Sequence, residues 1–548
     1  VAYRREGAGA GAVAQERVAA APGQVVGIAL AISLGFLAVL GILQADRPLW
    51  QDETQLLANL GQAWGRYFEV LPYHDQAAPP LALILLDGLW RIAGGDIPVM
   101  RLAVLSATLA CLACLALSAA RRGLTVMLLA LAIVALTPIT LRYALEIKHY
   151  VFELLAALVV VQSALSLKLR GRVEPVLFVA LSLLLSFLSF SVMLVAVVIM
   201  ADVVLFRAKG AERRHWALAV LLFSATWGLL YLGLFRPLTH LQIANYPDAY
   251  RNGMLIELLQ GSPASLVRRL LYVAGQPVFA ILGAGALLGG LVLLGRRTLS
   301  DLGRQARRAL PGAGGTPVRI WFGLTVLILG LSLLGLYPLS SSRQLLFTLA
   351  PTAIALASVV IGALRGSGSP AWLLAALALV LLPGAALQFR KTVTGDYVFQ
   401  DTAALYDFLL RNKDIPVIPN MLFDPTLRYY VERDAPSGLR IAGLLSPRSG
   451  PMESTREVVT RLQGGDTSLP AHIWHALRRE GAYRAYTDWI VGLAREAGEA
   501  HFAVVQLSER TDAHLQASAE ASGCTVARAF GATDVIAHRI TCRPSEVP

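Results

Sequence analysis

Charged residues are few: Asp, Glu, Lys and Arg make up 15% of 548 positions, against about 25% in ordinary soluble domains. With 56% hydrophobic residues and a mean hydropathy of +0.59, that shortage excludes an ordinary soluble protein. Cysteine is scarce too, at four residues. Cys111 and Cys114 lie inside an apolar stretch and read as small packing residues, because a metal or redox site would need further ligands. Internal repeats are absent, which excludes a solenoid. Acids are outnumbered, 36 against 48 bases, giving a net charge of +12. The bases gather in short loops between apolar runs rather than in one patch. That placement argues for cytoplasmic loops of a membrane protein and against nucleic acid as a partner.

What the chain has instead is apolar runs long enough to cross about 30 Å of hydrocarbon. Spans are expected near 25–43, 101–119, 124–142, 151–167, 175–189, 190–206, 217–235, 272–294, 320–336, 345–364 and 371–388. The first begins near Val25, and no small-residue cleavage site precedes Asp46, so it reads as a retained span rather than a signal peptide. If Arg4, Arg5 and Arg17 stay inside, these crossings also place Arg121–Arg122, Lys168–Arg172, Arg207–Arg214, Arg296–Arg319 and Arg365 inside. They leave the C-terminal tail outside. "PPLALILLDGLW" (79–90) is short and interrupted by Asp87, and is expected to lie at the outer surface rather than to span.

Three parts follow: a cytoplasmic segment at 1–24, a transmembrane domain at 25–388 and an extracytoplasmic domain at 389–548. The transmembrane part carries a first outer loop at 44–100 and a second at 236–271. The tail alternates helical patterns (401–411, 472–495) with β-like runs at 415–419, 502–507, 524–530 and 534–540, which predicts a small α/β domain. Its last two runs form a hairpin through Gly531-Ala532-Thr533, with Cys524 and Cys542 near the open end. In an oxidising compartment that pair is expected to form a disulfide.

Chemistry concentrates on the outer face. "PLWQDETQLL" (48–57) places Asp52 and Glu53 just beyond the first span, and "HDQAAPPL" (74–81) follows in the same loop. Either acid alone would read as a helix cap or a solvated side chain. "RYALEIKHYVFE" (142–153) opens a span on that face; at helical spacing Arg142, Glu146, His149 or Tyr150, and Glu153 form one stripe, with Lys148 beside it. Ionisable residues at the start of a span mark a water-filled cavity or a partner charge. "YPLSSSRQLLF" (337–347) adds Ser340, Ser341, Ser342 and Arg343, and Arg268 and Arg269 precede another span. Hydroxyls and a guanidinium at a helix N-terminus suit a phosphate. Carboxylates that activate a nucleophile, with cations that hold a phosphate, are what group transfer from a lipid-phosphate donor requires.

The order of these motifs resembles the bacterial GT-C glycosyltransferases related to protein O-mannosyltransferases and to the aminoarabinose transferase of lipid A. The resemblance rests on "WQDE", "DQAAPPL", Arg101 at a span start, "YALEIKHY" and the Ser-Arg loop. It implies a GT-C fold of about 11–13 transmembrane helices, in the bacterial inner membrane with active site and tail extracytoplasmic. It also implies transfer of a sugar, with inversion, from a polyprenyl-phosphate donor to a lipid, glycan or protein acceptor. Asp52 would be the general base or acceptor-positioning group, supported by Glu53. Glu146, Lys148 and Tyr150 would line the donor pocket; Arg343 would hold the donor phosphate, with Arg269 nearby. Gln76, His149 and Glu153 would support the site. No cofactor is required, although a divalent ion (Mg or Mn) would find hard oxygen ligands in Asp52, Glu53 and Glu146. Many relatives carry "HPPL" where this chain has Gln76-Ala77-Ala78-Pro79-Pro80, which leaves sugar and acceptor open. The alternative reading is a transporter or flippase of a lipid-linked or anionic substrate, which would set charges at midspan on interrupted helices.

Overall fold

The computed structural model describes residues 41–167, 173–245, 315–338, 345–367, 398–444, 448–450, 480–506 and 509–543, with isolated positions between them. The expected spans at 25–43, 272–294 and 371–388 lie wholly or mostly outside the described residues, as do Arg268, Arg269, Ser340–Ser342 and Arg343.

The described chain is mostly helical and follows the apolar pattern. After a short helix α1 (Gln51–Leu57) and a 3-10 turn (Trp64–Phe68), α2 (Pro80–Ile92) begins on Pro80, whose missing N–H costs nothing at that position. Then come α3 (Ile97–Ala120), α4 (Leu124–Leu136), α5 (Pro138–Tyr143), α6 (Tyr150–Ser166), α7 (Val173–Ser186) and α8 (Val192–Asp202). Helix α9 (Gly210–Leu230) passes through a π-helical turn (Tyr231–Phe235) into α10 (Arg236–Asn245), so the stretch expected as loop from 236 starts as helix. Two more apolar helices, α11 (Thr316–Leu333) and α12 (Leu349–Ser367), precede the tail. Ile97–Ala120, Gly210–Ala244 and Thr316–Leu333 are each long and apolar enough to cross a membrane. The apolar stretch at 175–206 divides into two helices at residues 187–191, and Pro138 ends α4, since its ring cannot follow the preceding turn.

The described residues fall into two compact units. One is bounded as Val1–Ala45, Arg101–Gly228 and Arg251–Val393; the other as Asp46–Met100, Leu229–Tyr250 and Thr394–Pro548. The first outer loop thus belongs to the same unit as the tail.

In the first unit α6 is enclosed on all sides, burying Val151, Leu154, Ala157, Leu158, Val161 and Ala164. Helix α9 buries only a stripe, Trp216, Ala219 and Phe223, and exposes Leu218, Leu221, Leu222 and Leu229. Such an apolar outer face is what lipid would cover. Helices α8 and α11 approach closely where a Cβ on Gly323 would stand 2.9 Å from Val198. Arg319 of α11 is paired with Asp202 at the end of α8, both buried. Lipid tails are as apolar as Leu and supply no hydrophobic drive between helices, so small residues and paired charges hold such bundles.

In the second unit the tail continues with α13 (Thr402–Arg411), β1 (Val417–Pro419), α14 (Asp424–Arg433), α15 (Glu480–Ala497), β2 (Glu499–Val505), α16 (Glu509–Ala521), β3 (Cys524–Ala532) and β4 (Val535–Cys542). The sheet order is β1-β2-β4-β3, with β1 parallel to β2 and the other pairs antiparallel. Residues alternate between two cores. Phe502, Val504 and Ile540 meet α15 and α16, while Ala503, Val505 and Ala537 meet α13 and α14. Covering both faces explains why β2 reads as a continuous apolar run rather than an alternating one. Cys524 and Cys542 sit opposite one another and form a disulfide. Asp534, at a positive φ of 56°, turns the hairpin.

Asp87, the acid that interrupts the short apolar segment, is fully buried and organises the loop before it. Its carboxylate accepts from the Gly61 amide (2.7 Å), Trp64 Nε1 (3.0 Å) and Arg91 Nε (2.7 Å), and Arg91 also donates to the Gln62 carbonyl (2.6 Å). Burial pushes the carboxyl up, but these hydrogen bonds outweigh it and hold Asp87 below the usual carboxylate range. Asp87→Ala is expected to cost about 1–3 kcal/mol and to open residues 61–70 to protease, measured by thermal midpoint and limited proteolysis in detergent.

Candidate active site

Helix α1 presents its two acids differently. Glu53 is fully buried; its carboxylate pairs with Arg47 (3.4 Å) and reaches back to the Trp50 amide (3.4 Å). An N3 carboxylate returning to the N-cap amide is half of a capping box; the other half is missing because Trp50 offers no side-chain acceptor. Thr54, Leu56 and Leu57 are buried with Glu53, whereas Gln51, Asp52 and Gln55 are only partly covered. Asp52 and Gln55, three residues apart, share the accessible face of the helix.

The second motif of the loop meets that same face. Gln76 Nε2 donates to Gln55 Oε1 (3.2 Å) and to the His74 carbonyl (3.4 Å). His74 and Asp75 hold positive φ angles of 63° and 48°, a conformation that Asn, Asp and His tolerate better than other side chains. Asp75 is buried, accepts from the Gly450 amide (3.1 Å) and takes its own amide to Ser449 Oγ (2.9 Å). Of the "DQ" pair, Asp75 anchors the loop to the tail and Gln76 faces the acid-bearing helix.

In the other unit, residues 142–153 are not one helix. Helix α5 ends at Tyr143, residues 144–149 form an irregular turn and α6 starts at Tyr150. The expected single helical stripe is therefore corrected. Arg142 stands 3.9 Å from Glu146, and His149 Nε2 is 3.4 Å from Glu153 Oε1 on the first turn of α6. Glu146 and Lys148 are both buried within the turn, where the Lys148 amide donates to the Glu146 carbonyl (2.7 Å). Tyr143 and Tyr150 meet edge to face at 5.0 Å, His149 lies 4.6 Å from Tyr150, and Arg142 caps the Tyr143 ring at 5.4 Å. Thr108 Oγ1 bonds the Ala144 carbonyl (3.3 Å), one of the groups freed by the break. Arg101, fully buried, donates to the Ala45 carbonyl (2.9 Å), joining the start of α3 to the end of the first apolar run.

Arg47, Gln55 and Thr54 were not singled out by sequence reasoning. The position of Arg47, six residues before Glu53, gave no helical or strand spacing to flag it. Among the described residues no three His, Cys, Asp or Glu side chains come together as a metal-ligand group.

No family model matches the sequence, and no curated protein matches it. Among solved structures, the chain is similar to ArnT from Cupriavidus metallidurans bound to undecaprenyl phosphate. That match has a TM-score of 0.49 and 14% identity over 95% of this chain and 98% of that one. ArnT in the apo state matches with a TM-score of 0.37 and 14% identity, over 93% of this chain and 97% of that one.

Close behind α1, at the start of α14, Asp424 is buried beside Arg428 (3.1 Å). Burial pushes its carboxyl up to about 7, against the lowering pull of Arg428. An unfolded aspartate titrates near about 3.9, below the folded value, so the group's stabilising contribution is full below about pH 4 and is lost as pH rises through about 7. Asp424→Asn is expected to gain thermal midpoint relative to the parent as pH is raised from about 5 to about 8, followed by calorimetry in detergent.

Proposed function

We propose that this chain is an integral-membrane glycosyltransferase that moves a sugar from a polyprenyl-phosphate donor to a lipid, glycan or protein acceptor, at the outer face of a bacterial inner membrane and with inversion. The observation that carries the reading is the division of labour on α1: Glu53 is locked inside by Arg47 and the Trp50 amide, while its neighbour Asp52 stays on the accessible face. That is how a carboxylate is held at a fixed angle yet left able to take a proton.

In this mechanism the acceptor hydroxyl or phosphate oxygen attacks the anomeric carbon from the side opposite the leaving group. The acceptor O–H proton passes to Asp52, the bond from oxygen to the anomeric carbon forms, and the bond to the phosphate oxygen breaks with its electron pair. A positioned general base contributes about 10²–10⁴-fold. The departing polyprenyl phosphate needs fixed positive charge, for which Lys148, Arg343 and Arg269 are the proposed donors. Glu146, Tyr150, His149 and Glu153 would shape the donor pocket, and Gln76 would orient the acceptor beside Asp52 through the Gln55 face. A single displacement needs one carboxylate on the acceptor side; retention by double displacement would need a second acting as nucleophile. A divalent ion, where used, would supply charge stabilisation at the leaving phosphate; Asp52 retains the proton-accepting role.

A second reading draws on one observation. The break at residues 144–149, with Glu146 and Lys148 buried in it, has the form of the interrupted helices that bind substrate in transporters. Liposomes containing the full chain and a radiolabelled undecaprenyl-phosphate-linked sugar separate the two. Under the transferase reading Asp52→Asn lowers sugar transfer by about 10²-fold or more while undecaprenyl phosphate still binds. Transfer near the parent rate in that variant removes Asp52 as base, and donor crossing the bilayer with no transfer supports the transporter.

A further inference from the structure

Helix α1 lacks the means to hold its own shape. It has seven residues, isolated helices shorter than about 12 residues are marginal in water, and its N-cap is a tryptophan with no acceptor. Glu53 and Thr54 send their amides to the Trp50 carbonyl (3.0 and 3.2 Å), so the earlier amides of the turn, that of Gln51 first, look outside the helix for an acceptor. It is satisfied by the tail: Gln51 N–H donates to Gln400 Oε1 (2.9 Å). One residue earlier than the cap, the Leu49 carbonyl accepts from Thr402 Oγ1 (2.7 Å). On the buried side of the helix, Thr54 Oγ1 meets Thr426 Oγ1 (3.0 Å), and Thr54 itself bonds the Gln51 carbonyl (3.0 Å). Trp50 packs on Phe399 with ring centroids 5.6 Å apart.

The tail side of these contacts is itself tied down. The Asp401 amide donates to the Thr533 carbonyl in the β3–β4 turn (3.0 Å), and Asp401 Oδ1 caps α13 through the Ala404 amide (3.1 Å). Asp534 in the same turn is hydrogen-bonded by Gln400 and Gln506, and Gln506 also receives Gln51 Nε2 (3.4 Å). Gln400, Thr402, Thr426 and Thr54 are all buried, so water does not replace a lost partner there. The path from the hairpin turn to the acid-bearing helix is therefore continuous: Asp534, Gln400, Gln51, then Asp52.

We infer that the strap at residues 399–402 is the missing N-terminal cap of α1, and that Gln400 and Thr402 are positioning residues which set the angle of Asp52. The C-terminal domain on this account is part of the catalytic machinery of the outer loop. The inference rests on Asp52 being the base, and its test is arranged to fail separately from that reading.

The variants are Gln400→Ala, Thr402→Val, which keeps the shape and removes the hydroxyl, and Thr402→Ser, which restores it. Each is made in the full chain in nanodiscs. Three quantities are measured: hydrogen exchange of amides 49–57, binding of undecaprenyl phosphate, and turnover of a radiolabelled undecaprenyl-phosphate-linked sugar. The expected result for Gln400→Ala and Thr402→Val is faster exchange confined to 49–57, unchanged undecaprenyl phosphate affinity and kcat lower by about 10- to 100-fold, with Thr402→Ser near the parent. Unchanged exchange, or faster exchange with unchanged kcat, overturns the positioning role. A general loss of folding in Thr402→Val leaves Gln400→Ala, which removes the acceptor of the Gln51 amide and one hydrogen bond to Asp534, to decide by the same criteria. Asp52→Asn read in parallel reports on the base alone: if it transfers normally the base assignment falls, while the exchange data still decide whether the strap orders α1.

Discussion

A two-turn helix capped by tryptophan depends on whatever completes its first turn, and in this chain the completion comes from sequence separations of 349 to 372 residues. Hydrogen bonds to Gln51, Leu49 and Thr54 meet the backbone on which Asp52 and Glu53 stand. The two acids are held differently. Glu53 is turned inward to Arg47, where an unpaired carboxylate would be costly, while Asp52 beside it is only partly covered.

The same logic governs the other acids. Asp87 is held within the apolar helix α2 by the donors Gly61, Trp64 and Arg91, and in doing so it gathers the preceding loop. Asp75 is buried against residues 449–450 of the tail, and Asp202 against Arg319 between two bundle helices. Asp75 and Asp202 are each a joint between segments distant in sequence. Within the first unit, Glu146 and Lys148 occupy a turn where the backbone itself leaves the helix, and Arg142, His149 and the two tyrosines surround it.

Much of this was legible in residue order. Apolar length located α3, α6, α7, α8, α11 and α12 to within a few residues, and the β-like runs of the tail located its strands. It missed the break at Thr137, the helical continuation to Asn245 and α16. Period also failed elsewhere. Residues 144–149, "ALEIKH", contain no Pro or Gly and carry helix-forming residues, so local preference pointed to helix where tertiary contacts impose a turn. Helix α14 was missed because Pro425 and a polar sequence masked a stripe, Leu427 and Tyr430, that only the sheet face makes apolar. Arg47 was invisible because an ion pair across a turn has no periodic signature.

Composition by itself determined that the chain belongs in a membrane, because runs of about 20 apolar residues have no other stable solvent. Residue types pointed to group transfer from a lipid phosphate, and the resemblance of motif order to GT-C glycosyltransferases added the expectation of a sugar. The motif resemblance assigned Asp52 as base and Glu53 as its support, but residue order could not say which of the two the fold encloses, since both occupy the first turn of the same helix. Tertiary structure decided that: Glu53 is fully buried against Arg47 and Asp52 only partly covered, in a helix met by Gln400, Thr402 and Thr426 from the far end of the chain.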